Sequence, residues 1–345
     1  MLKTSKIRLQ LKNVWTISRN SSLFKDNVIV ELQKDGISAY GEAAPNVRYG
    51  ENADKTIAEI KKVSPLFDKD LFKVISLKVE VDNSIKNQSC AKAALDMAVM
   101  DWIGKALHIP LYRYFGLDIS KSPPTSYSIG IDTPDIIREK VRQAEAFPVL
   151  KVKLGGNNDK EIIKTIRGIT DKPLRVDANE GWNDKETAAK RIESLMKKNI
   201  ELIEQPLPAG MNEETAWLKE RFDTPLIADE SIKTARDIPA LRQAFDGINI
   251  KLMKSGGILE ALRMIHLAQI FDLDVMLGCM IETSVAISAA AQLAPYARWI
   301  DLDGNLLIAN DPFSGVKVEQ GRLIYSQKPG LGLEKRMTRK NSIVK

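Results

Sequence analysis

Four charged residues each close a short apolar run where packing alone gives no reason for a charge: Asp177 in LRVD, Glu204 in IELIE, Asp229 in TPLIAD and Lys251 in GINIK. They lie 27, 25 and 22 residues apart in turn. Carboxylates brought together repel one another unless a cation sits among them. Three hard oxygen donors with room for water and substrate suit Mg²⁺. Zinc is disfavoured, because Cys90 and Cys279 are the two cysteines, His108 and His266 the two histidines, and none has ligand spacing. The competing account is that each acid only caps a helix. Three in register, followed by a lysine in register, favour convergence on one site.

Lys151 and Lys153 extend the chemistry. Two residues apart on a strand, their side chains share a face, which in a closed sheet is the interior or the helix layer. Burial and a neighbouring like charge both disfavour an ammonium, so each is expected to lower the other's pKa and make a base usable near neutrality. A snorkelling pair at a strand edge is the alternative. Lys251 falls four strands further on, opposite Lys153 in a barrel of eight. A carbon held between two such amines suits 1,1-proton transfer, one removing the α-proton and the other returning it on the opposite face.

Positioning these residues requires a repeated strand–helix unit, and the intervals match the roughly 25 to 30 residues per unit of a (β/α)8 barrel. Helical spacing of apolar residues occurs between the runs, at Lys185–Lys198, Glu213–Phe222, Ala235–Phe245 and Leu259–Phe271. The remaining strands are expected at Ser126–Gly130, Val149–Leu154, Asp274–Leu277 and Trp299–Asp303. Before them, residues 3–14 and 27–41 alternate apolar and polar around a Lys34-Asp35-Gly36 turn, which predicts an antiparallel sheet. Helical patterns follow at Asp54–Val63 and Ser89–Leu107, and Pro123-Pro124 marks a boundary. The expected division is an α+β capping domain over 1–122, a modified TIM barrel over 123–310, and a segment over 311–345. That last segment carries a hairpin turn at Gln320-Gly321 and returns to the capping domain.

The chain of 345 residues, 44% hydrophobic, is long enough for this α/β architecture. Its net charge of +6 is concentrated in the tail KRMTRKNSIVK, which holds five of those charges and no acid, so the body is nearly neutral. That argues against nucleic acid as a partner. No signal-peptide or membrane-spanning run is visible, and a cytoplasmic location is expected.

The text KVK, VDAN, IEQP, ADES and INIKLMKSGG, together with GEA, RYGE and PGLG, resembles the enolase superfamily, muconate-lactonizing subgroup. The resemblance implies a capping domain over a barrel in which one regular unit is replaced at the start. It implies Asp177, Glu204 and Asp229 as Mg²⁺ ligands, Lys153 and Lys251 as acid/base catalysts, and Lys151 as the holder of the substrate carboxylate. The histidine-base branch does not fit, since both histidines lie in helical patterns. Within the subgroup, Asp301-Leu302-Asp303 resembles the DxD of dipeptide epimerases, where paired carboxylates bind a substrate ammonium. A simple turn cap is the alternative for one of the two. Arg19 falls where epimerases acting on Ala-Glu carry an arginine for the glutamate side chain. Glu282, Arg48 and Tyr49 are further substrate-side candidates. The expectation is a Mg²⁺-dependent epimerase of dipeptides such as L-Ala-D/L-Glu, active as a homo-oligomer. The alternatives are an o-succinylbenzoate synthase, an N-acylamino acid racemase, or a non-catalytic ligand-binding barrel.

Overall fold

A computed structural model describes residues 1–336. The chain opens with an antiparallel sheet of β1 (Leu2–Ile17), β2 (Asn20–Lys34) and β3 (Ile37–Ala43). Asp35 and Gly36 join β2 to β3 with φ of 51° and 75°, the backbone a two-residue hairpin needs to match strand twist. Helices α1 (Ala53–Val63), α2 (Val74–Ser84), α3 (Ser89–Ala106) and the short α4 (Leu111–Tyr114) complete the capping layer.

The barrel alternates β4 (Tyr127–Ile129), α5 (Pro134–Gln143), β5 (Leu150–Lys153), α6 (Asp159–Arg167), β6 (Leu174–Asp177) and α7 (Lys185–Leu195). It continues with β7 (Ile200–Glu204), α8 (Asn212–Lys219), β8 (Leu226–Ala228), α9 (Ile238–Leu241), β9 (Gly247–Ile250), α10 (Leu252–Ser255) and α11 (Ile258–Ile270). The final elements of the barrel are β10 (Asp274–Gly278), α12 (Ser284–Ala291) and β11 (Trp299–Asp301). Strands β4 to β11 pair in parallel in chain order, and Thr125 bridges Ile300 to close the ring, with Leu302 N–H donating to Thr125 Oγ1 at 2.8 Å. Covered by helices outside and packed within, strands such as β5 and β6 are buried at every position.

The departure from a regular barrel falls at the end rather than the start. Among the described residues no helix follows β11; the chain passes through Asp303 and a 3-10 turn at Gly304–Leu306, then bonds back to β1 through Lys12 N–H to the Leu307 carbonyl at 2.9 Å. The helix expected over Ala235–Phe245 is also shorter, because a capping box between Thr234 and Asp237 starts it as a 3-10 turn and only Ile238–Leu241 is α-helical.

Two buried acids dock the cap on the barrel. Glu42, at the end of β3, accepts from Thr283 Oγ1 at 2.6 Å and from the Thr283 and Ala286 amides, so a capping-domain carboxylate caps α12. Asp96 of α3 does the same for α11, accepting from Ile258 N–H at 2.5 Å. A Cβ on Gly257, whose φ is 117°, would stand 2.4 Å from the Asp96 side chain, which accounts for that glycine in KSGG. The chain beyond β11 divides its contacts. Phe313 of β12 (Phe313–Ser314) packs on Tyr40 at 5.0 Å, and Leu331 N–H donates to Asp101, both in the cap. The hairpin of β13 (Lys317–Glu319) and β14 (Arg322–Ile324) instead lies at the barrel base, where Gly321 O accepts from Thr125 N–H at 2.7 Å. The basic tail beyond Lys335 and Arg336 lies outside the described residues. Among the described residues no helix is long and apolar enough to cross a membrane.

Candidate active site

Register brings the predicted residues to one level. Lys153, Asp177 and Glu204 are consecutive Cα partners across β5, β6 and β7, at the strand ends under the cap. Asp229 follows β8 directly and Lys251 follows β9. One oxygen from each of Asp177, Glu204 and Asp229 lies within 4.8 Å of the others, and all three residues are buried. Above them is a cavity of about 760 Å³ lined by Arg19, Lys153, Asp229, Lys251, Asp301 and Asp303 among others.

The lysines neutralise the acids in a set pattern. Lys153 Nζ donates to Asp177 Oδ2 at 2.6 Å, and Lys251 Nζ to Asp229 Oδ2 at 2.7 Å. Because β5 and β9 stand four strands apart in a ring of eight, these amines come from opposite walls. Lys151 is not a cavity residue. It lies beneath the floor, 1% exposed, with its Nζ 2.7 Å from Glu204 and Asp301 and 3.2 Å from Asp177. Burial disfavours its ammonium, but Asp301, Glu204 and Asp177 outweigh burial and hold its pKa well above the ordinary range. The expectation that Lys151 and Lys153 lower each other's pKa is therefore corrected for Lys151: surrounding carboxylates, not the neighbouring lysine, dominate. At Lys251 burial is likewise overridden, by Asp229 and Glu204, and its pKa is raised.

The donor set fits a hard divalent cation. Glu204 Oε2 is buried with the Lys151 ammonium 2.7 Å away as its charge partner but off hydrogen-bond alignment, so this carboxylate oxygen keeps lone-pair capacity for a cation. Burial and the charge of Asp177 push the Glu204 carboxyl up to about 7, whereas nearby lysines hold Asp177 and Asp229 low against burial. Asn249 Nδ2 donates to Glu204 Oε1 at 2.8 Å, and Asn179 N–H to Asp177 Oδ1 at 2.9 Å, which fixes the orientation of both acids.

Asp301 and Asp303 are adjacent but not equivalent. Asp301 is committed to Lys151 and to the Ser126 hydroxyl at 2.8 Å. Among the described residues Asp303 accepts only from Ser128, from its amide at 2.6 Å and from a hydroxyl at 3.3 Å that it shares with Asp301 at 3.2 Å, and burial together with the Asp301 charge pushes it up to about 7. Glu282 does not line the cavity; it accepts from the Met280 amide at 2.9 Å, and burial beside Glu42 pushes it up to about 8. Arg19 reaches the cavity but is held by Glu180 at 2.7 Å and Glu230 at 2.6 Å, while Arg48 pairs with Glu180 and Tyr49 lies under Lys233. His108 lies in the turn two residues past α3 and His266 packs edge-on against Tyr296, so neither joins the site.

Sequence reasoning missed Lys254, one helical turn past Lys251 in KLMK. Its fully buried ammonium donates to Asp229 Oδ1 at 2.5 Å, to the Asp229 carbonyl and to the Asn249 carbonyl, and burial lowers its pKa. Glu180, Glu230 and Asn249 were missed as well; the i, i+3 spacing of the two lysines was the one available signal.

Residues 5–116 match the mandelate racemase / muconate lactonizing enzyme N-terminal domain, and residues 136–339 the enolase C-terminal domain-like family. The chain is 44% identical over 328 residues to the L-Ala-D/L-Glu epimerase of Bacteroides thetaiotaomicron, covering 95% of this chain and 86% of that one. The solved dipeptide epimerase of Cytophaga hutchinsonii, complexed with Mg and the dipeptide D-Ala-L-Val, superposes with a TM-score of 0.91 at 29% identity, covering 97% of this chain and 95% of that one. The N-succinyl Arg/Lys racemase of Bacillus cereus superposes at 0.92 and 30% identity, with the same coverage. The carboxylate triad at the strand ends, the lysines on opposite walls and these matches over nearly the whole chain place it in the mandelate racemase / muconate lactonizing enzyme family of the enolase superfamily.

Proposed function

We propose that this chain is a Mg²⁺-dependent dipeptide epimerase that inverts the α-carbon of the C-terminal residue, with L-Ala-D/L-Glu as the favoured substrate and a place in cell-wall peptide metabolism. The observation that carries the reading is the pair of lysines, Lys153 and Lys251, on opposite walls of one cavity at the level of a buried carboxylate triad. A free Lys153 amine takes the α-proton from one face. The Cα–H bond breaks, its electron pair passes into the substrate carboxylate, and the Lys251 ammonium gives its proton to the other face of the carbon. For the opposite isomer the roles exchange. Asp177, Glu204 and Asp229 would hold a divalent cation, which would supply positive charge to the substrate carboxylate as negative charge builds there.

Asp303, buried and short of a cation, supports a substrate with a free amino terminus, and Asp301 adds its negative charge from the side. The 44% identity to a protein named as an L-Ala-D/L-Glu epimerase points the same way. Arg19, once released from Glu230, would be available to a glutamate side chain. Lys151 acts from below the floor by setting the charge of Glu204 and Asp301. The same proposal divides the chain into a cap (1–122), a barrel (123–310) and a returning segment (311–345), and describes a self-associating cytoplasmic enzyme. The test is a panel of dipeptides, N-acyl amino acids and a succinylbenzoate precursor in heavy water, followed by NMR. Loss of the α-proton signal confined to dipeptides supports the reading; faster turnover of an N-acyl amino acid or of the succinylbenzoate precursor refutes it.

A further inference from the structure

We infer that Glu180 is a positioning residue that clasps two separate capping-domain loops over the cavity, holding Arg19 on one carboxylate oxygen and Arg48 on the other. Glu180 Oε2 lies 2.7 Å from Arg19 Nη1, and Oε1 lies 2.6 Å from Arg48 Nη2. Arg19 belongs to the turn between β1 and β2, Arg48 to the segment after β3, and these loops share no ladder. Both border the cavity, through Arg19 and Asn20 on one side and Val47, Arg48 and Tyr49 on the other.

The local backbone exists to present this carboxylate. Asn179 and Glu180 are successive non-glycine residues in the left-handed region, with φ of 44° and 65°, a conformation that persists only where surroundings enforce it. Here the enforcement comes from Glu180 N–H donating to the Gln205 carbonyl at 2.9 Å and from the Ala209 amide donating to Glu180 Oε1 at 2.8 Å. The twist also turns the Asn179 carbonyl outward, where it accepts from Arg19 at 2.8 Å and Ser18 Oγ at 3.1 Å. The two arginines are not equally tied. Arg19 has a second anchor in Glu230, whereas Glu180 is the one acidic partner of Arg48 among the described residues.

The inference rests on the cavity being the substrate site, but its main readout does not. Amide hydrogen exchange is measured by mass spectrometry on the intact protein without substrate, comparing wild type with Glu180→Gln and Arg48→Ala. Glu180→Gln should speed exchange strongly in peptides covering 46–50 and measurably but less in those covering 15–22, where Glu230 and the Asn179 carbonyl still hold Arg19. Arg48→Ala should speed 46–50 alone, because Arg19 keeps Glu180 and Glu230. With about a third of each arginine side chain exposed, water screens both pairs, so the dipeptide KM should rise roughly tenfold in Glu180→Gln, more than kcat falls. Release of only one loop in Glu180→Gln, or wild-type exchange over 46–50 in Arg48→Ala, would overturn the clasp. Loop release in a protein that turns over no dipeptide would instead uphold the clasp and remove the proposed function.

Discussion

Replacing Asp303 by Asn removes one negative charge from the cavity wall while keeping an acceptor for the Ser128 amide, 2.6 Å away. Burial beside Asp301 raises the Asp303 carboxyl from an ordinary 3.8 to about 7, which is equivalent to about 4 kcal/mol of unfavourable environment for the ionised form. A substrate ammonium seated there recovers part of that, and breaking a desolvated charge pair costs on the order of 2 to 5 kcal/mol. The lower end already corresponds to roughly 30-fold in kcat/KM. Steady-state kinetics with Ala-Glu should therefore show a loss of that size or greater in Asp303→Asn, and the N-acetylated dipeptide should be poor with wild type. The pH profile has a defined sign. Ammonium binding needs the ionised acid, so wild-type kcat/KM should climb as pH rises through about 7 and level off above it, and the Asn variant should lack that limb. Stability runs the other way: the folded state keeps the proton between about 4 and 7, so this group's contribution to stability falls as pH rises through that window. A variant with unchanged kcat/KM for the free dipeptide would refute the ammonium subsite and leave the DxD as a turn.

Chelation of divalent cations should abolish activity with the far-UV circular dichroism unchanged, and Mg²⁺ should restore it; full turnover in a verified metal-free sample would remove the triad's role. Because Glu204 sits near 7 without a cation, calorimetry in buffers of different ionisation heat should detect proton release on Mg²⁺ binding at pH 6.5, and Glu204→Gln should bind Mg²⁺ more weakly and without that release. Lys254→Met should lower stability by about 1 to 3 kcal/mol in urea melts, since it takes the donor from Asp229 Oδ1 and from the Asp229 and Asn249 carbonyls while Lys251 still neutralises Asp229. Asp96→Ala should cost about 1 to 2 kcal/mol by exposing the α11 N-terminus, a change read as a lower Tm with kcat little altered.

The barrel was legible because the strands from β5 to β9 are short, largely buried runs that end in a charge or are followed directly by one, and a periodic interruption of apolar text is hard to produce by packing alone. The triad, Lys153, Lys251 and the cap over the mouth all fall where that period puts them. The pKa direction of Lys151 was not legible, because it depends on Asp301 arriving from the last strand to join Glu204 and Asp177 around one ammonium. Glu180 was invisible for a related reason. In NEGW it reads as a polar loop residue, and only the left-handed backbone at Asn179 and Glu180 aims it at two arginines from the cap. Nothing in KLMKSGG marks Lys254 as buried, yet α10 is four residues long and buried throughout. Glu42 and Asp96 likewise show how a cap can be supplied from a distant element, a pairing that no local pattern announces.

The central claim is that Lys153 and Lys251 work on opposite faces of one α-carbon, and stereospecific exchange tests it most directly. Lys153→Ala and Lys251→Ala are each incubated in heavy water with the two α-epimers of the dipeptide separately, and loss of the α-proton is followed by NMR. Neither variant should epimerise, each should exchange the α-proton of one epimer only, and the exchanging epimer should differ between the variants. Epimerisation by either variant, or the same single epimer exchanging in both, would contradict the two-face mechanism.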